Sequence, residues 1–130
     1  MQLLKVSKRE YHEGEVDLHK LATTVERFFI EEGFVVRLAE NDTGAIIQAR
    51  KGGIFRTVLE MDRALTVVVE FKNKSINISM GVAKMMENVD VNQVIHSSDS
   101  IFIKIPEALW AYETEHHLWN YMEMFMELGY

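Results

Sequence analysis

The chain has 130 residues, no cysteine and a formal net charge of −6. Its length fits one domain with a core large enough to fold without metal or disulfide, and its 48% hydrophobic content argues against a disordered protein. The absence of cysteine excludes disulfides, a thiol nucleophile and thiolate metal sites. The acidic balance argues against a dedicated nucleic-acid binder, so the sequence predicts a globular domain that binds no nucleic acid.

The sequence shows no sign of export or membrane insertion. Its N-terminal stretch, which begins Met1-Gln-Leu-Leu-Lys, lacks the long apolar run of a signal peptide. No segment approaches the roughly 18 apolar residues needed to cross a bilayer. We therefore expect a soluble cytoplasmic protein.

The first predicted element is a helix over residues 17–32. Its apolar residues recur on one stripe and are Leu18, Leu21, Ala22, Val25, Phe28 and Phe29. Asp17 is suited to cap the first amides, and Gly33 is suited to the left-handed residue that often follows a helix. The stripe predicts that this helix packs on a sheet.

Strand-like segments follow in close succession. The predicted strands are Phe34–Glu40, Ala45–Lys51, Ala64–Lys72 and Ser75–Met80, with Ile54–Leu59 as a further candidate. Turn residues separate them at Asn41-Asp42-Thr43-Gly44 and at Asn73-Lys74. Short strands joined by tight turns favour an antiparallel meander.

The last third of the chain is less regular. Val82–Val94 is compatible with a short helix, His96–Ser100 with a polar loop and Ile101–Ile105 with a short strand. Pro106 is suited to begin a final helix that runs to about Leu128. The order of helix, four or five strands and helix predicts a two-layer α+β fold, with both helices on one face of an antiparallel sheet. We expect one such domain over residues 1–130.

Four short motifs follow one another along the predicted strands. They are Gln48-Ala-Arg-Lys-Gly-Gly, Arg56-Thr57, Met61-Asp-Arg-Ala-Leu-Thr-Val and Met80-Gly81. Together they resemble a small uncharacterised family, over roughly residues 20–128 and most specifically over Gln48–Val67. Glu60 stands where that family usually has glycine, and the last segment is a polar amphipathic helix rather than a membrane segment or zinc ribbon. The resemblance implies a compact α+β fold and no established activity.

Basic residues gather around the second predicted strand. From Gly44 to Lys74 six basic residues stand against three acidic ones. The candidate ligand-binding residues are Gln48, Arg50, Lys51, Gly52, Gly53, Arg56 and Arg63. Guanidinium groups around open glycine amides would form an anion or phosphate site. The alternative is a solvated sheet face on which the arginines pair with neighbouring carboxylates.

The final predicted helix has an unusually wide apolar surface. The candidate interface residues are Trp110, Trp119, Tyr121, Met122, Met124, Phe125 and Met126. Apolar positions cover about half of the helix circumference, more than one docking surface needs, and such side chains are enriched at interfaces. Either this strip mediates association, or residues 82–94 or the N-terminal arm cover it within the monomer.

Chemistry-bearing residues do not form a recognisable catalytic or metal site. Glu113, His116 and His117 share one side of the final helix and match half of the pattern found in carboxylate di-metal bundles, but the set is incomplete. His96 and Asp99 lie beside serines, although sequence neighbours rarely form a triad. The sequence therefore predicts no catalytic residue, no metal and no cofactor.

These features favour a non-enzymatic binding module. We expect it to associate with itself or with a protein partner through the final helix and a sheet edge, most simply as a homodimer. The alternative is a regulator that binds an anion or small ligand at the basic hairpin around Arg50, Arg56 and Arg63. A third interpretation is a small metal enzyme built on Glu113 and its neighbouring histidines.

Overall fold

The computed structural model describes residues 3–4, 6–11, 17–50, 63–72, 74–106 and 112–128. Its strands are β1 (Leu3–Leu4), β2 (Val6–Tyr11), β3 (Val35–Asn41), β4 (Gly44–Arg50), β5 (Arg63–Lys72), β6 (Ser75–Lys84), β7 (Phe102–Ile103) and β8 (Ile105–Pro106). Its helices are α1 (Leu18–Glu31), α2 (Val91–His96), α3 (Ser98–Ile101) and α4 (Tyr112–Leu128). The predicted α+β class is confirmed.

The main sheet is antiparallel and has the strand order β2-β6-β5-β4-β3. Strands β3 to β6 are neighbours both in the chain and in the sheet, which is the predicted meander. The long strand β6 holds two further strands on its other side. It pairs with β2 through Ile76–Gly81 and with β7 through Val82 and Ala83. A separate two-stranded pair joins β1 to β8.

Helix α1 forms as its sequence predicts. Asp17 caps the start by accepting a hydrogen bond from the Lys20 N–H at 3.1 Å. After the helix, Gly33 adopts a left-handed φ of 91°, and the Phe34 N–H donates to the Phe29 carbonyl at 2.9 Å. Both ends therefore satisfy backbone groups that would otherwise remain unpaired.

The main core lies between one sheet face and the two long helices, as predicted. Buried residues of this core come from α1 (Leu21, Ala22, Val25, Phe28, Phe29), from the sheet (Ala45, Ile47, Ala49, Leu65, Val67, Val69, Ile76, Ile78, Met80, Val82) and from α4 (Leu118, Trp119, Met122, Phe125). We call this sheet face the helix-covered face. Burial of each large side chain stabilises the fold by about 1.5–3 kcal/mol.

A second, smaller core lies on the opposite face of the sheet. Its buried residues are Ile46, Val68, Val91, Val94 and Phe102, with Met86 and Val89 packed against them. The chain after β6 therefore crosses this face and packs α2 over β3 and β4, and Phe102 of β7 contributes to the same small core. Part of the face is left open and carries the site described below.

Two predictions for the chain after Met80 are wrong. The strand does not stop at Met80, because Val82 and Ala83 continue the pairing with β5. Within the predicted 82–94 segment only residues 91–94 are helical, as the first part of α2. Asp90 caps this helix by accepting a hydrogen bond from the Gln93 N–H at 3.3 Å. The polar loop over 96–100 contains the one-turn helix α3.

Strand pairing between the two ends of the chain also differs from what the sequence predicts. Pro106 does not begin the last helix, since it pairs with Leu3 in the β1–β8 ladder. The predicted 101–105 strand is divided between β7 and β8, which have different partners. The candidate strand Ile54–Leu59 lies outside the described residues. Within the residues that are described, no helix has the length and apolarity needed to span a membrane.

Candidate binding groove

An open groove of about 520 Å³ lies on the sheet face opposite α1 and α4. Its lining residues are Arg37, Leu38, Ala39, Ile46, Gln48, Met86, Glu87 and Val89. They come from β3, β4 and the irregular segment after β6, and we call the feature the Met86 groove. Most of the lining is apolar, and the volume lies within the roughly 300–1,000 Å³ of small-ligand sites.

The buried amide of Gln48 fixes one wall of the Met86 groove. Its Nε2 donates to Thr66 Oγ1 at 3.1 Å and to the Lys84 carbonyl at 3.0 Å. Its Oε1 accepts from the Met86 N–H at 2.9 Å. The Gln48 side chain is only 2% exposed, so its hydrogen bonds serve the fold and do not face a ligand.

Two guanidinium groups project from the groove face. In the sheet register Arg37 lies opposite Gln48, and Val35 lies opposite Arg50. Because alternate residues share a face, Arg37 and Arg50 are diagonal neighbours on the same face. Arg37 donates one bond from Nη1 to the Met86 carbonyl at 3.3 Å. Arg50 is half-buried and makes no hydrogen bond or ion pair with another described residue.

The predicted ligand-binding residues do not all meet. Gln48 and Arg50 share the groove face. Arg63 begins β5, and strand alternation puts it on the helix-covered face together with Leu65. The predicted residues that lie outside the described part of the chain are Lys51, Gly52, Gly53 and Arg56. In the described part, Arg50 therefore has Arg37 as its cationic neighbour instead of Arg63.

The apolar surface of α4 is used mainly inside the chain. The predicted interface residues Trp119, Met122 and Phe125 are buried, Tyr121 and Met126 are half-buried, Met124 is 57% exposed and Trp110 lies outside the described residues. The Tyr121 ring packs against Phe28 of α1 at 5.5 Å between centroids. Of the apolar α4 surface that the structure describes, Met124 and Tyr112 are the side chains most open to a partner.

The histidines on α4 lie on its solvent side. Glu113, His116 and His117 are exposed, and Asn120 contacts the His116 ring with an Nδ2–Nε2 distance of 3.3 Å. Nowhere in the described residues do three or more histidine or carboxylate side chains come together as a metal ion requires. Among the described residues, the structure therefore brings no further metal-binding side chain to Glu113, His116 and His117.

A smaller depression of about 400 Å³ lies at the start of α1. His19 Nδ1 and Glu40 Oε1 are 2.6 Å apart there, and Asp42 also lines it. The His19 side chain is largely exposed, so this contact is a weak surface interaction. The Met86 groove is the larger and more apolar of the two depressions.

Arg9 connects β2 to α4 on the helix-covered face. Arg9 Nη1 lies 2.5 Å from Glu123 Oε1, and its guanidinium sits 5.0 Å from the centre of the Trp119 ring. Tyr11 follows two residues later on the same face. Burial raises the pKa of the Tyr11 hydroxyl above its ordinary value, and the Glu123 carboxylate adds to this effect. The Arg9 guanidinium opposes it, both by its charge and by its side-chain contact with the hydroxyl.

Sequence reasoning missed most of the groove lining. Arg37, Met86, Glu87 and Val89 were not candidates. A signal for Arg37 was present, since a hairpin whose loop is Asp42-Thr43 puts Arg37 opposite Gln48. No local pattern marks Met86, because its position depends on a bond to Gln48 across the sheet.

The chain was also compared with known proteins. No family model, no curated protein and no solved structure matches it. The function proposed below therefore depends on the geometry of the groove alone.

Proposed function

We propose that this chain is a non-enzymatic binding module and that its binding site is the Met86 groove. The observation that supports this most directly is the combination of an apolar lining, from Ala39, Ile46 and Met86, with the guanidinium of Arg37 at the same site. An apolar recess with one or two polar groups is the usual form of a binding site. A ligand with an apolar body and one anionic group matches it.

The arrangement of polar groups supports binding over catalysis. Gln48 is committed to the fold by its bonds to Thr66, Lys84 and Met86. The remaining charged lining residues are Arg37 and Glu87. Nucleophilic or acid–base catalysis needs a nucleophile and a base within hydrogen-bond reach, and the described lining of the groove contains no such pair.

The groove replaces α4 as the favoured association surface. Trp119, Met122 and Phe125 are occupied in the core, so self-association through α4 would rely on Met124 and its polar neighbours. Apart from Leu38, the apolar residues that line the groove are not part of the main core. The anion-binding alternative is retained in altered form, with Arg37 and Arg50 as the cations.

A dye with the required chemistry tests the proposal. 8-Anilinonaphthalene-1-sulfonate has an aromatic body and one sulfonate, and direct excitation of the dye reports its binding by fluorescence. We expect saturable binding at one site on the wild-type protein, with shifts of the Ile46 and Met86 amide signals in NMR spectra. Substitution Ala39→Trp should fill the groove and weaken dye binding at least tenfold.

Matched controls separate a blocked groove from a damaged fold. Ile30 lies on α1, is 56% exposed and does not line the groove, so Ile30→Trp adds the same side chain elsewhere and should leave dye binding unchanged. Both variants should melt within a few degrees of wild type. If a folded Ala39→Trp variant binds the dye as well as wild type does, the groove is not the binding site.

A further inference from the structure

We propose, building on the groove as the binding site, that the partner is an extended acidic segment of another polypeptide that adds to β3 as a new strand. Strand β3 is at the end of the sheet order, and among the described strands its only neighbour is β4. In such an edge strand every second residue presents its N–H and C=O away from the sheet. These groups are the usual template for strand addition.

The side chains of β3 connect this edge to the groove. Arg37 and Ala39 line the groove, and Val35 lies on the same face by alternation. Val35 is 74% exposed, although a β-branched side chain in a strand is normally packed against a neighbour. Every second side chain of a strand added beside β3 would lie on the groove face, next to Val35 and the groove.

The positive charge of the groove face indicates that the added segment is acidic. The diagonal pair Arg37 and Arg50 gives this face two guanidinium groups, and a guanidinium has five donors. Only one bond from Arg37, to the Met86 carbonyl, is made among the described residues. The opposing lining charge is Glu87, so a carboxylate on the added strand would compensate the excess positive charge.

A second copy of this chain fits the same edge less well. Two copies of β3 that pair antiparallel about a twofold axis bring identical faces together. On the groove face β3 carries Val35, Arg37, Ala39 and Asn41, none of which is acidic. Every such register leaves Arg37 opposite a neutral residue or another arginine, and like charges that face each other destabilise a sheet.

Synthetic heptapeptides test strand addition directly. The first peptide is Thr-Glu-Thr-Val-Thr-Val-Thr, in which the carboxylate and both valines share one face of the strand. The second peptide has Lys in place of Glu. By calorimetry, the acidic peptide should bind wild-type protein at least tenfold more tightly than the lysine peptide. The double variant Arg37→Glu/Arg50→Glu should reverse that preference, and Arg50→Glu alone should reduce it if the double variant folds poorly.

Backbone methylation adds a readout that charge attraction alone would not change. Two further versions of the acidic peptide carry N-methyl groups on its odd or on its even residues. Since the amides of a strand alternate between its two edges, one version should lose at least tenfold in affinity and the other should bind nearly normally. Equal affinities for the two methylated peptides, or for the acidic and lysine peptides, would overturn the inference.

The dye experiment separates the two proposals. If the sulfonate dye binds the groove and Ala39→Trp blocks it, while no heptapeptide binds, the groove is a small-ligand site and strand addition is wrong. If dye and peptides both fail to bind, the groove itself is not the site. If light scattering shows a dimer that Val35→Glu dissociates, a second copy of the chain occupies the edge and the inference of a foreign acidic segment is wrong.

Discussion

The side-chain oxygen of Gln48 accepts a hydrogen bond from the backbone N–H of Met86 at 2.9 Å. This bond connects β4 to the chain segment that follows β6, and both of its residues line the groove. The same amide also donates to the Lys84 carbonyl. One buried side chain therefore bonds to two backbone groups, one at the end of β6 and one in the segment that follows it.

Substitution Gln48→Leu should destabilise the protein by about 2–6 kcal/mol. A leucine of similar size would leave the Met86 N–H and the Lys84 carbonyl without their partner, and each unsatisfied buried group costs about 1–3 kcal/mol. Urea unfolding measures this loss. The control Thr66→Val removes the bond from Gln48 and the bond from the Thr66 hydroxyl to the Ala64 carbonyl. It leaves the Met86 N–H and the Lys84 carbonyl paired with Gln48 and should cost less, so equal losses in the two variants would contradict the role assigned to Gln48.

Substitution Gly44→Ala should cost at least about 2 kcal/mol. A Cβ built at Gly44 would lie 2.5 Å from the Val69 carbonyl oxygen and would also collide with the end of the Ile95 side chain. Side-chain rotation cannot move a backbone carbonyl in a central strand, so the sheet itself must shift. In thermal unfolding, Gly44→Ala/Ile95→Val should recover only part of the loss, and full recovery would show that the Ile95 contact alone is limiting.

Two methionines that lie two residues apart on α4 should differ strongly in how much stability the same substitution removes. Met122 is fully buried in the main core, so Met122→Ala should cost about 2–5 kcal/mol. Met124 is largely exposed, so Met124→Ala should change stability by less than about 0.5 kcal/mol. Light scattering on Met124→Glu then tests α4 as an interface, because a charge there removes the exposed apolar side chain while the core stays intact.

The hydroxyl of Tyr11 should make the protein sensitive to alkali. Its oxygen is buried, and the nearby Arg9 guanidinium does not reach it with hydrogen-bond geometry. The contact with Arg9 lowers the pKa of Tyr11, but burial outweighs it and the pKa in the folded protein is raised. A raised pKa means that the folded state keeps the phenol proton longer than the unfolded chain does. The contribution of Tyr11 is therefore complete below about pH 10 and is lost as pH rises through the folded-state pKa.

Substitution Tyr11→Phe provides the measurement. Near neutral pH the variant should unfold in urea within about 1 kcal/mol of wild type, because the hydroxyl gains no bond among the described residues. From about pH 10 upward the wild type should lose stability faster than the variant does. Parallel pH profiles for the two proteins would show that Tyr11 does not titrate differently in the folded and unfolded states.

Elements with local causes could be predicted from the sequence. Helix α1 follows from its apolar stripe and from Asp17 and Gly33 at its ends. The β5–β6 hairpin follows from alternation and a two-residue turn, in which Lys74 takes the left-handed φ of 64°. In each case the residues that determine the structure are neighbours in the chain.

Elements that depend on distant partners could not be predicted in this way. Strand β2 has an exposed, polar centre, and only its pairing with β6 makes it a strand. Pro106 has the chemistry of a helix start, but its pairing with Leu3 takes precedence. The Met86 groove has the same origin, since Gln48 and Met86 meet only when the sheet is complete.

The pairing of β2 with β6 also has a consequence for how the chain acquires its structure. Strands β3 to β6 form hairpins with their chain neighbours, and such local contacts close early and at low entropic cost. The partner of β2 is Ile76–Gly81, which is made much later during synthesis and is ordered only after β5 and β6 have paired. Strand β2 is therefore expected to join the main sheet after strands β3 to β6 have paired, and until then the edge of β6 that it occupies is open to other chains.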